Sequence, residues 1–187
     1  GIRDGVAIGG AVAAMQRAVV PVGTQADDTE AINQYQVAYN LSADSWCGFF
    51  GQNNNWYSGS NNTTYYLQDA WVAATYKNSY TELLSSWKEI RQESEKTGSM
   101  EVFALAQILK ISAWHKTLET FGPIPYTHAG EPALVIPFDS EKDAFNAMFA
   151  DLTAAIEILT ARVEQGATIV ADYDAVYGGD TRKWVKY

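Results

Sequence analysis

The chain has 187 residues, 47% of them hydrophobic, and its 13 Lys and Arg against 22 Asp and Glu give a net charge of −9. That length makes one domain of roughly 100–200 residues, and 6 Trp, 7 Phe and 11 Tyr exclude a disordered chain. The acidic balance speaks against nucleic acid or an anionic membrane surface, no apolar run reaches the roughly 20 residues of a bilayer span, and the single Cys47 allows neither an internal disulfide nor a thiolate zinc cluster.

In chain order, the first residues lack the charged, apolar and cleavage regions of a signal peptide. Ala7 to Val20 reads as a weak helix stopped by Pro21. Residues 42–64 are poor in helix formers and rich in Asn, Ser and Gly, with aromatic residues interleaved. Irregular stretches beyond about 12–15 residues are either functional or disordered, and five aromatics argue against disorder here. From about Leu67 to Glu95 a long helix is predicted, because Tyr76, Tyr80, Leu83, Leu84, Trp87 and Ile90 fall on one stripe.

A second helix, about Ser99 to Phe121, carries Ala104, Ile108, Ile111, Leu118 and Phe121 in a pattern buried on more than one side. Gly122-Pro123-Ile124-Pro125 ends it and opens a connector, residues 122–138, holding four of the five prolines. A third helix, about Ser140 to Val163, presents Phe145, Met148, Phe149, Leu152, Ile156, Leu159 and Val163 as its amphipathic stripe, with Asp139 or Ser140 as cap. Near the end, Gly178-Gly179-Asp180-Thr181 reads as a turn and N-cap opening a helix that has made about one turn by Tyr187, so the natural chain is expected to continue. With no alternating strand pattern of comparable length, the fold class is all-α, and antiparallel helices of this length can stack as a solenoid.

The best candidate for binding is the 42–64 loop. A sugar offers apolar C–H faces rimmed by hydroxyls, so its receptor needs flat rings beside groups that donate and accept. Gln52, Asn53, Asn54, Asn55, Trp56 and Tyr57 place rings and carboxamides side by side. The competing reading has Trp46, Phe49 and Phe50 anchoring the loop to the core while the asparagines occupy turns.

Catalytic and metal arrangements are thin. His115 and His128 sit 13 apart on a helix and a Pro-rich connector, with His115 expected to be a partly buried hydrogen-bonding residue. No HExxH pair, nucleophile elbow or phosphate-cradling loop is present. Asp172-Tyr173-Asp174 has the look of a calcium loop, but Val176 and Lys183 occupy the fifth and twelfth positions, so these aspartates are expected to form turns and caps. Cys47 is expected to be a small apolar filler. No catalytic residue, metal or cofactor is expected.

Four segments in order resemble a known family. Gly122-Pro123-Ile124-Pro125-Tyr126 follows an apolar helix; Phe138-Asp139-Ser140 leads to Asp151-Leu152-Thr153-Ala154-Ala155-Ile156; Asp174-Ala175-Val176-Tyr177-Gly178-Gly179-Asp180 precedes Lys183-Trp184-Val185-Lys186-Tyr187; and Asn33, Tyr35-Gln36 and Asn40-Leu41-Ser42-Ala43-Asp44 fit an N-terminal pattern. Together they resemble the SusD/RagB nutrient-binding lipoproteins of the outer membrane of Bacteroidetes. The resemblance implies a TPR-like stack of antiparallel helices with long irregular loops, residues 1–187 forming a single N-terminal region whose C-terminal half lies beyond the sequence. It also implies a non-enzymatic role. The lipid-anchored protein would capture oligosaccharides, or in some members peptides, at the cell surface for a SusC-like TonB-dependent transporter. Phe138 and Tyr187 stand where Tyr and Phe are usual, and no N-terminal cysteine is present for lipidation. Family ligand contacts commonly precede the long second-region helix, which strengthens the case for the 42–64 loop, while the motifs themselves read as architectural. Two other classes compete: a helical module whose main ligand is a protein, supported by the acidic surface, and a glycoside hydrolase, supported only by unplaced carboxylates.

Overall fold

The computed structural model describes residues 2–19, 35–166 and 168–187, and among these the fold is all-α, with no strand beyond two isolated bridges. Helix α1 spans Ile2–Val19; a π-helical segment Gln36–Asp44 precedes the aromatic loop; α2 (Asp69–Lys77) passes through a second π-helical segment, Asn78–Leu83, into α3 (Leu84–Thr97). There follow α4 (Met100–Phe121), α5 (Glu141–Glu164) and α6 (Thr181–Lys186). Helix α4 is central, packed against α5, α3 and α1, while α2 lies on the first π segment. Pro21 and Asn33 lie outside the described residues.

The long helix expected over 67–95 is present but changes winding in its middle. The reason is a knot of buried polar side chains. Asn78 Nδ2 donates to the Ala18 carbonyl at 2.9 Å and to Tyr39 Oη at 3.3 Å, and Ser79 Oγ bonds the Thr75 carbonyl at 3.0 Å and shares a hydrogen with Thr117 Oγ1 at 2.5 Å. Wider winding changes the carbonyl ladder, and the Trp114 indole donates to the Ser79 carbonyl at 3.1 Å. Periodicity alone does not see this, because hydrogen bonds from Asn78 and Ser79 to other elements leave no mark in an apolar repeat. Gly98, at φ 72°, then ends α3 in the left-handed conformation.

Helix α4 is buried around most of its girth, as its sequence predicts: Leu105, Ala106, Ala113, Trp114 and Leu118 are wholly enclosed. Helix α5 departs from expectation. Met148 and Leu159 are buried, but so are Ala144 and Ala155, while Phe149 is 64% exposed and Ile156 is also on the surface. The predicted stripe is wider than the face that α4 and α6 cover, and small residues form the contact because they let the helices approach closely. By length and composition this helix suffices to cross a membrane, against the expectation that no stretch does. Its buried residues instead join the core shared with α4.

Three irregular junctions are closed by side chains. In the Pro-rich connector Ile124 and Asp139 pair as an antiparallel bridge, and Asp139 Oδ2 accepts from the Tyr126 and Thr127 N–H groups at 2.8 and 2.7 Å. Tyr126 Oη donates to Asp151 Oδ2 at 2.7 Å, joining two of the family-like segments. Ser140 caps α5, accepting from the Asp143 N–H at 3.1 Å.

The third junction centres on Asp174, which is buried. Its carboxylate accepts from the N–H groups of Val176, Tyr177 and Gly179, from Gln16 Nε2 on α1, and from Trp184 Nε1 on α6, all at 2.7–3.0 Å. Only glycine fits at 179, where φ is 79° and a Cβ would meet the Ile169 carbonyl oxygen at 2.5 Å. Asp180 caps α6 through the Arg182 and Lys183 N–H groups, so the aspartates of this segment do form turns and caps.

Burial pushes the Asp174 carboxyl up, but the hydrogen bonds from Trp184, Tyr177, Gly179 and Val176 outweigh it and hold the group below the ordinary carboxylate value of 3.8. A depressed folded-state pKa stabilises the fold above the unfolded value and is lost as pH falls through the folded one. Asp174→Ala, which orphans five donors, should lower unfolding free energy by about 2–4 kcal/mol, read from urea denaturation. The advantage of wild type over Asp174→Asn should shrink as pH drops below 3.8, and an advantage independent of pH would contradict the ionic role.

Candidate functional site

The first π segment ends at Asp44, and the chain from there to α2 is a run of turns and two short 3-10 helices, Trp56–Gly59 and Asn62–Thr64. Between Ser45 and Gln68 it contains no Asp, Glu, His, Lys or Arg, an uncharged interval in an otherwise acidic protein. Its shape is set by Asn61, which is fully buried. Asn61 Nδ2 donates to Gln52 Oε1 and to the Trp56 carbonyl, both at 2.8 Å, and Asn61 Oδ1 accepts from the Thr63 N–H at 3.0 Å and the Thr63 hydroxyl at 2.5 Å. That exhausts the two donors and two acceptor positions of a carboxamide. Gln68 Nε2 ties the Ser60 carbonyl at 2.8 Å, and Thr64 Oγ1 bonds the Gly59 carbonyl.

Within this frame Trp56 and Trp71 stack with centroids 5.1 Å apart and planes at 10°. Tyr57 packs edge-on against both, at 5.2 Å from Trp56 and 5.1 Å from Trp71. Trp71, at the start of α2, is buried; Trp56 is half-buried; Tyr57 is 57% exposed. The stack therefore runs from the core outward to a ring in solvent. Tyr57 and Ser58 have φ of 51° and 52°, and Tyr65 has 57°. Left-handed conformations at non-glycine residues cost about 1–3 kcal/mol each and cluster at binding sites, where packing holds them.

Gln52, Asn53, Asn54 and Asn55 are exposed beside these rings. Gln52 has its oxygen engaged by Asn61, leaving its NH₂ group as the free end. Among the described residues, the side-chain amides of Asn53, Asn54 and Asn55 have no hydrogen-bond partner. All six sequence-predicted residues thus lie on one surface segment.

The competing role for Phe49 and Phe50 does not hold: they are 79% and 55% exposed and anchor nothing. Trp46 packs edge-on against Tyr65 at 5.3 Å. Tyr65, Tyr66 and Leu67 add further exposed apolar surface. Sequence reasoning missed Tyr65 and Tyr66 because they sit at the edge of the predicted helix, where two aromatics resemble the start of its stripe. Trp71 was hidden by the same periodicity. Cys47 is exposed and is not the apolar filler expected, since the turn after the π segment points it outward. His115 matches expectation: it is half-buried, with Nδ1 2.8 Å from the Ile111 carbonyl. Among the described residues no cluster of His, Cys, Asp or Glu is placed to hold a metal.

Comparison with known proteins agrees with this architecture. The family model described as SusD-like, Susd and RagB outer membrane lipoprotein, matches residues 2–187. No curated protein matches. Among solved structures the chain is similar to a chitin-binding SusD homologue from Flavobacterium johnsoniae, with 30% identity and TM-score 0.83 over 96% of this chain and 36% of that one. It is also similar to a SusD homologue from Bacteroides uniformis, with 28% identity and TM-score 0.81 over 97% and 36% of the two chains. A SusD-like protein from Bacteroides thetaiotaomicron, at 24% identity and TM-score 0.76 over 96% and 35%, shares the fold. The chain spans about a third of the length of these structures. With the fold in common and the match covering residues 2–187, this chain belongs to the SusD/RagB family of outer-membrane lipoproteins.

Proposed function

We propose that this chain captures a neutral oligosaccharide on the 52–66 loop, without chemistry, and that the lipid-anchored protein does so on the outer face of the outer membrane for delivery to a SusC-like TonB-dependent transporter. The observation that carries this reading is the Trp56–Trp71 stack, flanked by Tyr57 and by three carboxamides with no internal partner. A pyranose ring lays its C–H face on an aromatic plane, and its hydroxyls need partners that both donate and accept, which Asn53, Asn54 and Asn55 supply. The uncharged interval from Ser45 to Gln68 favours a neutral ligand over an anionic or cationic one. It also offers no acid or base pair for glycosidic cleavage, which supports capture rather than hydrolysis. The chitin binding of the Flavobacterium johnsoniae homologue lends the same ligand class.

One such face holds a sugar weakly, with a dissociation constant on the order of millimolar, about −4 kcal/mol. Trp56→Ala and Tyr57→Ala should each abolish retention in a glycan affinity gel while the helical circular dichroism stays unchanged, because neither ring belongs to the α4 core. Retention equal to wild type in both would remove the loop as the site. Asn61→Ala should lower glycan affinity about tenfold, by releasing Gln52 and the Trp56 carbonyl, without touching a ligand atom. An unaltered affinity in that variant would mean the loop holds its shape by other means.

A further inference from the structure

A concavity open to solvent lies away from the loop, lined by α3, α4, the Pro-rich connector and α5, with a volume of about 380 Å³. Its floor holds Lys110, which is 4% exposed. The ammonium stands 4.3 Å from the Trp87 ring centre and 4.5 Å from that of Tyr126, and its one oxygen partner among the described residues is Asp151 Oδ2 at 3.5 Å. An ammonium has three N–H groups. One acceptor at that distance does not saturate them, and the nearest other groups are aromatic faces. Burial holds the Lys110 amine down, to about 8, against the opposing pull of Asp151.

Other groups at this cavity also have spare capacity. Gln107 Oε1 accepts from Trp87 Nε1 at 2.8 Å, which fixes the amide so that its NH₂ remains a donor. Asp151 uses Oδ2 for Tyr126 and Lys110, and Oδ1 remains an acceptor. Phe103 and Ala147 add apolar wall. At the mouth Arg91 pairs with Glu95 at 3.2 Å, and the His128 ring nitrogen Nδ1 lies 3.0 Å from the Glu131 carboxylate. The Arg91–Glu95 pair largely cancels its own field at the mouth. Donors, an acceptor and apolar walls in a cavity near the lower end of the range of about 300–1,000 Å³ for ligand sites suit a small, neutral, polyhydroxylated ring.

We propose that the cavity between α3, α4, the connector and α5 binds a single neutral monosaccharide ring, at a site separate from the aromatic loop. Lys110 and Gln107 donate to its hydroxyls, and Asp151 accepts from one. The proposal stands independently of the loop reading. A hydrated cavity of purely architectural purpose is the outcome that would defeat it.

The test is an NMR titration of the ¹⁵N-labelled chain with glucose, galactose, mannose and N-acetylglucosamine, each to about 100 mM, a range that detects millimolar binding. The readout is the Trp87 indole N–H signal, identified by its loss in Trp87→Phe. A saturable shift with at least one sugar is expected. Gln107→Ala should weaken it about fivefold or more, Ala129→Trp should remove it by filling the cavity, and Trp56→Ala should leave it unchanged. Linear drift with all four sugars overturns the proposal, as does a saturable shift that survives both Gln107→Ala and Ala129→Trp. Loss of the shift in Trp56→Ala would assign the sugar to the loop instead. If Ala129→Trp fails to keep its helical spectrum, Gln107→Ala, on a residue that is only half-buried, decides.

Discussion

An irregular stretch of chain can sit against a helical core only if its backbone N–H and C=O groups find partners, since an unpaired buried one costs about 1–3 kcal/mol. Helices satisfy themselves; the segments between them do not. In this protein three short polar side chains supply much of the missing bonding. Asn61 holds the aromatic loop, Asp139 the Pro-rich connector and Asp174 the turn before α6. Each takes two or more backbone groups of its own junction. Asp174 also reaches Gln16 on α1 and Trp184 on α6, joining residues 158 apart in sequence to a local turn.

Seen this way, the family-like segments mark where bonding must be supplied from a side chain. Gly122 to Tyr126 meets Asp139 through backbone bonds and Asp151 through the Tyr126 hydroxyl, so segments separated in sequence form a single joint. The spacing from Asp174 to Gly179 and Trp184 has the same origin: the carboxylate needs a glycine whose N–H can approach it and an indole that reaches back from the next helix. In the sequence, Gly and Pro mark these segments as helix ends and connectors. Which donors each aspartate collects was not legible, because a carboxylate's partners are set by three-dimensional approach.

The helices themselves were largely readable, since their apolar residues repeat at the period of the helix that buries them. The failures are instructive. The π winding at 78–83 escaped because Asn78 and Ser79 act through single hydrogen bonds to α1, Tyr39 and α4, contacts that periodicity does not encode. The stripe on α5 overstated what is covered, because hydrophobicity reports what a face can bury, and Phe149 and Ile156 lie on a flank with no covering helix among the described residues. In the loop, composition located the segment and its exposed carboxamides. It did not reveal that Trp71 completes the ring stack from the following helix, or that two of the asparagines, Asn61 and Asn62, are interior.

That last distinction carries the functional argument. Asn is suited to turns because its side chain bonds backbone, and suited to ligands for the same reason. A loop whose asparagines all bonded backbone would be well formed and have nothing to offer a sugar. Here the structural duty falls on Asn61, whose carboxamide is saturated, and the exposed carboxamides of Asn53, Asn54 and Asn55 carry no internal bond. The rings divide in the same way, with Trp71 buried to seat the stack and Tyr57 turned to solvent by a left-handed backbone. A recognition surface needs polar groups whose bonding is incomplete, and such groups persist only where others nearby have already met the demands of the backbone.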